Sequence, residues 1–282
     1  MPMPGYMTKC HHILPVLLFL VLLPACKPTP NGPSLSEYGA NSEATERTLF
    51  EKYVHELLAA PVERARAMQD SLLNEAAQDS ARWNRIVKLE EHFLFDPNSP
   101  YRDEERYLPV VEHLLVSPLA SEEQRAFAQW AAPRLALNRL GAKAADFVFL
   151  TRDGRRHTLY QTVEARNPRP WRTLLFFSNP GCPNCKEITD ALSGDLTIAA
   201  LMDSGKLLVI NVYPDEDLQA WLDYLPNYPQ QWVCGYDPDQ VLNNHTVYWL
   251  RAIPSLYLLD EQLRVLRKDA PLEQILIDCK QR

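Results

Sequence analysis

No block of lysine and arginine stands out in this sequence, and its 29 basic residues are outnumbered by 36 acidic ones, for a formal charge of −7. That argues against nucleic acid as a partner, because a phosphate-binding surface needs clustered cations. Glycine is scarce, at 9 residues against 23 prolines. Much of that proline falls before residue 40 and in connecting segments. The chain is 46% hydrophobic and 23% charged, ordinary values for a soluble globular protein, so disordered and collagen-like classes drop out. No apolar stretch reaches the roughly 20 residues that a permanent membrane-spanning helix needs. No internal repeat is detectable either. Composition alone therefore excludes several classes and names none.

What is present begins at the N-terminus. Lys9 precedes an apolar run, Ile13–Leu23, of the length of a signal-peptide h-region rather than of a spanning helix. The run ends in Leu23-Pro24-Ala25-Cys26, which resembles a bacterial lipobox. That resemblance implies cleavage before Cys26, lipidation of its thiol, and a mature chain anchored in the bacterial cell envelope, facing the periplasm. Residues 1–26 are then the lipoprotein signal segment, ending at the lipidated Cys26. Residues 27–40, with Lys27-Pro28-Thr29-Pro30 and Gly32-Pro33-Ser34, form an extended tether.

From about Ser42 the apolar residues recur at helical steps. Leu49, Phe50, Tyr53, Val54, Leu57 and Leu58 make one stripe, and later segments carry Trp83, Ile86 and Val87, then Leu108, Val111 and Leu114, then Phe127, Trp130 and Leu135. This predicts an all-α domain over 41–138. It holds no suggestive cluster of His, Cys or paired carboxylates, so its residues name no chemistry.

After Gly141 the period changes to that of strands, which predicts an α/β domain over 139–282. Phe147–Leu150 and His157–Tyr160 flank Asp153-Gly154, a hairpin signal. Thr173–Phe177 and Leu207–Val212 are continuous apolar runs, expected of central strands covered on both faces. A helix over Leu218–Leu222, a segment Trp232–Tyr236, strands at Ser255–Leu259 and Val265–Leu266, and a last helix from Pro271 follow. The expected order is βαβ and then ββα, behind the added hairpin.

With Cys10 in the leader and Cys26 taken by lipid, four cysteines remain: Cys182, Cys185, Cys234 and Cys279. An i,i+3 pair in an oxidising compartment is structural, metal-binding or redox-active, and its surroundings decide. Cys182-Pro183-Asn184-Cys185 stands where a central strand gives way to a helix. There Cys182 falls at N-cap or N1, and Pro183 in the first turn, where its missing N–H costs nothing. Free amide N–H groups and the helix dipole favour a thiolate at that end. Cys182 is thus the candidate nucleophile. Cys185, one turn on, is the resolving thiol.

Ile253-Pro254 opens a strand with a residue that cannot donate to the ladder, marking a special backbone turn. With Arg251-Ala252-Ile253-Pro254-Ser255-Leu256 and the ββα ending, residues 140–282 resemble the thioredoxin superfamily: a central mixed sheet flanked by helices. The resemblance implies that the Ile253–Pro254 peptide is cis and faces the cysteine pair. Ala145-Asp146-Phe147 with Asp153-Gly154 resembles the cytochrome-c-maturation and peroxiredoxin-like branch. Asn179-Pro180-Gly181-Cys182 looks like the lipoprotein thioredoxins, in which a helical domain of unknown function comes first; Asp96–Tyr101 also looks like part of that domain. Three positions depart from thioredoxin itself. Gly181 stands in place of a tryptophan, Phe176 in place of a buried aspartate that assists proton transfer, and Pro183-Asn184 in place of Gly-Pro. Loss of that aspartate is expected to slow deprotonation of Cys185 unless Glu187 or a water substitutes.

The function implied is thiol–disulfide exchange on disulfide-containing exported proteins, with a membrane or periplasmic thiol as electron donor and no cofactor; Pro183-Asn184 matches neither the reductase nor the oxidase pattern, so the direction of electron flow stays open. Zinc would need a second Cys or His pair, which the mature chain lacks at a suitable spacing. Copper would need a downstream His, and His245 is the one near Pro254. Cys234 and Cys279 are expected as buried free thiols. A membrane-tethered scaffold that uses the fold only as a platform is the alternative. Intact Cys182, Cys185 and Pro254 weigh against it.

Overall fold

Among the described residues, five α-helices precede the first strand: α1 (Glu43–Ala59), α2 (Val62–Ala76), α3 (Ser80–Glu90), α4 (Glu104–Val116) and α5 (Glu122–Leu135). The computed structural model describes residues 43–244 and 247–281, so the leader, the tether, Cys26 and His245 lie outside the described residues. Helix starts follow local chemistry. Asp79 and Asp103 cap α3 and α4 by accepting N–H bonds from Arg82 and Arg106, and Ser121 with Gln124 forms a capping box on α5. The stripe Phe50, Tyr53, Val54 and Leu57 turns inward to meet Leu73, Trp83, Ile86 and Val111 in one buried cluster. Within it the Tyr53 hydroxyl donates to Gln69 Oε1 at 2.8 Å, and Gln69 Nε2 donates to Glu90 Oε2 at 2.8 Å.

The sheet carries seven strands: β1 (Val148–Thr151), β2 (Arg156–Thr158), β3 (Arg172–Phe177), β4 (Leu207–Tyr213), β5 (Val233–Tyr236), β6 (Ser255–Asp260) and β7 (Val265–Arg267). Their spatial order is β2-β1-β5-β4-β3-β6-β7. The β3–β4 and β4–β5 pairs are parallel and the rest antiparallel. Helices α7 (Pro183–Gly194) and α8 (Leu196–Asp203) make the β3-to-β4 crossover, and α9 (Leu218–Tyr224) makes the β4-to-β5 crossover. The sequence reading has the helix of this second crossover, but it leaves Trp232–Tyr236 as a segment without naming the strand. The crossover places β5 between β4 and β1, so β5 is what joins the entry hairpin to the rest.

Both central strands alternate between two cores. Leu174, Phe176, Leu207 and Val209 face a cluster with Cys185, Ile188, Leu192 and, from the last helix α10 (Leu272–Cys279), Ile275 and Cys279. Leu175, Phe177, Leu208 and Ile210 face the other way, onto Phe147, Phe149, Val163 and Tyr257. Strands covered on both faces read as continuous apolar runs for this reason.

One boundary differs from the sequence reading. Leu159 and Tyr160 begin helix α6 (Leu159–Glu164) instead of ending a strand. Thr158 accepts the Gln161 N–H while Gln161 reaches back to the Thr158 N–H, a capping box. That motif outweighs the strand propensity of the run before it. The first strand starts at Val148, and no described residue before it lies in a strand.

Candidate functional site

The chain leaves β3 at Phe177 and turns through Ser178-Asn179-Pro180-Gly181 into α7. Gly181 has φ +75°, a conformation that side chains with a Cβ disfavour. Cys182 is the N-cap of α7 with Pro183 in the first helical position, and its Sγ accepts the Cys185 N–H at 3.2 Å. Cys182 and Cys185 are disulfide-bonded, with Cα atoms 5.2 Å apart. Their environments differ. Cys182 is half-buried, whereas Cys185 is 4% exposed beneath it and packs with Phe176 and Ile188.

The Ile253–Pro254 peptide is cis. Pro254 immediately precedes β6, whose first residue, Ser255, is the register partner of Phe177 at the end of β3. Antiparallel pairing thereby brings the start of β6 beside the segment leading to Cys182. Ile253 packs against the cluster that holds both cysteines, and Arg251, Ala252, Ile253 and Pro254 are all partly exposed. Cys182, Cys185 and Pro254 therefore share one end of the sheet.

Phe176 occupies the strand position where thioredoxin has its buried aspartate and is itself fully buried. Glu187 is exposed and lies outside that core. A different polar group sits on the Cys185 face of the sheet. Asn211 Nδ2 donates to Ser178 Oγ at 2.6 Å and to the Phe176 carbonyl at 3.2 Å, and Ser178 Oγ lies 3.0 Å from the Tyr228 hydroxyl. Asn211 and Ser178 are fully buried. Burial pushes the Tyr228 phenol up to about 12, so it stays a neutral hydroxyl. Asn211 Oδ1 accepts no hydrogen bond from a described residue, which leaves an acceptor free on this face. A lone polar residue inside the run Leu207–Tyr213 was the signal for this cluster, and hydrophobic patterning passed over it.

Cys234 and Cys279 are free and buried. Burial raises the Cys234 thiol, against the opposing effect of the Arg152 guanidinium, which donates to its Sγ at 3.1 Å. Burial pushes the Cys279 thiol up to about 12. Among the described residues no three His, Cys, Asp or Glu side chains gather as metal ligands.

Residues 35–131 match the model of a domain of unknown function, DUF5106. A thioredoxin-like protein from Bacteroides caccae is similar over nearly the whole length, with 29% identity, 96% of this chain and 99% of that one covered, and a TM-score of 0.78. The C-terminal domain of an uncharacterized protein from Bacteroides fragilis is 39% identical over 50% of this chain and 97% of its own, with a TM-score of 0.47. The thioredoxin domain of a thiol-disulfide oxidoreductase from Bacteroides vulgatus is 19% identical over 50% of this chain and 96% of its own, with a TM-score of 0.41. No curated protein matches the sequence. The mixed sheet with helices on both faces and the full-length likeness to the Bacteroides caccae protein agree: this chain has a thioredoxin-like fold and carries a DUF5106 domain ahead of it.

Proposed function

We propose that the protein is a thiol–disulfide oxidoreductase that works through Cys182 and Cys185. The observation that carries this reading is the asymmetry of the pair: a half-exposed Cys182 at a helix N-cap, bonded to a buried Cys185 one turn in. In the reduced protein, amide N–H groups and the α7 dipole favour the Cys182 thiolate. That thiolate attacks one sulfur of a substrate disulfide, the substrate S–S bond breaks, and the departing thiolate takes up a proton. Cys185 then loses its proton and attacks Cys182 Sγ. The Cys182–Cys185 disulfide forms, and the second substrate thiol is released. Two electrons pass from the dithiol to the substrate, and a dithiol donor restores the pair. Pro254 and its neighbours supply the surface beside the pair.

Dithiothreitol-driven insulin reduction tests this. The protein should accelerate precipitation of the insulin B chain well above dithiothreitol alone. A rate equal to dithiothreitol alone would favour the scaffold reading.

The substrates we propose are exported proteins, because the Leu23–Cys26 segment resembles a lipobox that would anchor the chain, facing the periplasm, through Cys26. Expressed in a Gram-negative host, the full chain should partition into Triton X-114 detergent, and Cys26→Ala should abolish that partition. Soluble protein with an unmodified Cys26 would overturn the anchor.

A further inference from the structure

Four charged side chains meet in the interior between the helical region and the sheet. Glu104, in the first turn of α4, is 1% exposed at its side chain, Arg251 5%, Asp269 3% and Lys268 3%. Arg251 Nε donates to Glu104 Oε1 at 2.8 Å and its Nη2 to Asp269 Oδ2 at 2.7 Å. The same guanidinium bonds the Phe95 carbonyl and lies 4.4 Å over the Phe95 ring. Lys268 Nζ stands 2.8 Å from Glu104 Oε2 and donates to the carbonyls of Leu135 and Leu137, at the end of α5. The other oxygen of Asp269 accepts the Ser255 hydroxyl at 2.8 Å. Arg102 donates to the Asp269 and Ala270 carbonyls at 3.0 and 3.2 Å. Two acids face two bases, so the cluster is neutral.

Its position is informative. Arg251 and Ser255 bracket Ile253–Pro254, and Ala270 belongs to the core cluster of Cys185. The bonds from the helical region therefore land on the two segments at the disulfide end of the sheet. A buried ion network is weak evidence for stability, since apolar residues of the same volume often serve as well. What it supplies is direction: both oxygens of Asp269 and Oε1 of Glu104 accept hydrogen bonds, and Glu104 Oε2 is ion-paired with Lys268, so the loop has one seat.

We propose that the helical region is a positioning element of the disulfide site, in which Glu104, through Arg251 and Asp269, fixes the Arg251–Ser255 loop that carries Pro254. This rests on the reading of Cys182–Cys185 as an exchange site. A protein whose disulfide reaches Cys182 must lie against that partly exposed loop. A small disulfide can reach the sulfur without it. Glu104 acts on substrate docking and leaves the sulfur chemistry alone.

The test uses the full chain with Glu104→Gln, which removes the charge and keeps the shape, and Arg251→Lys, which keeps the charge and loses the fork. Each is compared with wild type on insulin and on glutathione disulfide, and hydrogen exchange is followed at the amides of Arg251–Ser255. The KM for insulin should rise about tenfold, while kcat and the glutathione disulfide rate stay within about twofold. Loop amides should exchange about tenfold faster in Glu104→Gln. Equal slowing of both substrates, or loop protection unchanged in a folded Glu104→Gln protein, would overturn the proposal. A wild type that reduces neither substrate defeats the exchange reading instead, and loop exchange alone then decides the positioning role. If Glu104→Gln does not fold, Arg251→Lys gives the same measurements.

Discussion

Cys185→Ser should accumulate covalent mixed disulfides with its substrates, Cys182→Ser should form almost none, and both should lose multiple turnover. The asymmetry follows from the α7 N-terminus. Cys182 is half-exposed at the N-cap, where its Sγ already accepts the Cys185 N–H, an interaction that a thiolate strengthens. Cys185 is buried against Phe176 and Ile188, out of reach of a macromolecular disulfide. Attack begins at Cys182 and stops there when the second sulfur is missing. Without an intramolecular resolving thiol, release depends on an external one, and turnover should fall by roughly a hundredfold or more. Cys234 and Cys279 cannot take over. Both are buried, and burial raises both thiols, which disfavours their thiolates. Affinity capture of each variant followed by non-reducing electrophoresis reads the result. Equal covalent capture by the Cys182→Ser and Cys185→Ser proteins would reverse or abolish the assignment of roles.

The deprotonation of Cys185 belongs to the same chemistry. Thioredoxin's buried aspartate has no counterpart in this chain, since Phe176 fills the position. Glu187, the substitute that the sequence suggested, points to solvent instead of the core. Ser178, Asn211 and Tyr228 form an uncharged polar cluster on the Cys185 face. A neutral acceptor such as Asn211 Oδ1 can orient a proton or a water but cannot hold a charge against it. On the proposed mechanism, the resolving step draws on an uncharged polar cluster in place of a carboxylate.

The parts of the site that were legible in the sequence are those built from neighbours along the chain. Gly181, Cys182, Pro183 and Cys185 declare a strand-to-helix turn because N-cap chemistry acts over three or four residues. The runs Thr173–Phe177 and Leu207–Val212 declare central strands because burial on both faces removes alternation. Local reading failed where two local signals competed, as at Thr158, whose capping box with Gln161 turned Leu159 and Tyr160 into helix. It also failed where a group is assembled from distant segments. Glu104 and Arg251 are separated by 147 positions, and nothing in either neighbourhood announces the pair. Trp249 shows the same limit from the apolar side. Its neighbours Tyr248 and Leu250 pack against the sheet, so pattern alone assigns Trp249 to that domain as well.

Its side chain goes elsewhere, and removing it should be among the most damaging substitutions in the protein. Trp249 is 2% exposed and belongs to the core of the five-helix region. Its ring lies 5.7 Å from Phe95 and meets Trp130 edge-on at 5.4 Å. A residue from the segment leading into β6 is thus part of the helical core, and the two regions share a hydrophobic anchor. Trp249→Ala removes that anchor and leaves a cavity, at a cost of about 3–5 kcal/mol. Against a total stability of roughly 5–15 kcal/mol this is a large share. For a chain of this size the melting temperature should drop by about 10 °C. Trp249→Phe keeps an aromatic ring in place and should lose about half as much. The form of the transition carries more information than its midpoint. If shared packing makes the two regions one cooperative unit, wild type melts in a single step, and Trp249→Ala splits it, with helical signal lost first. Scanning calorimetry alongside far-ultraviolet circular dichroism separates these outcomes. A Trp249→Ala protein that melts in one step within about 2 °C of wild type would mean that the ring contributes little to docking. In that case the buried charges around Glu104 would have to hold the helical region to the sheet without this anchor.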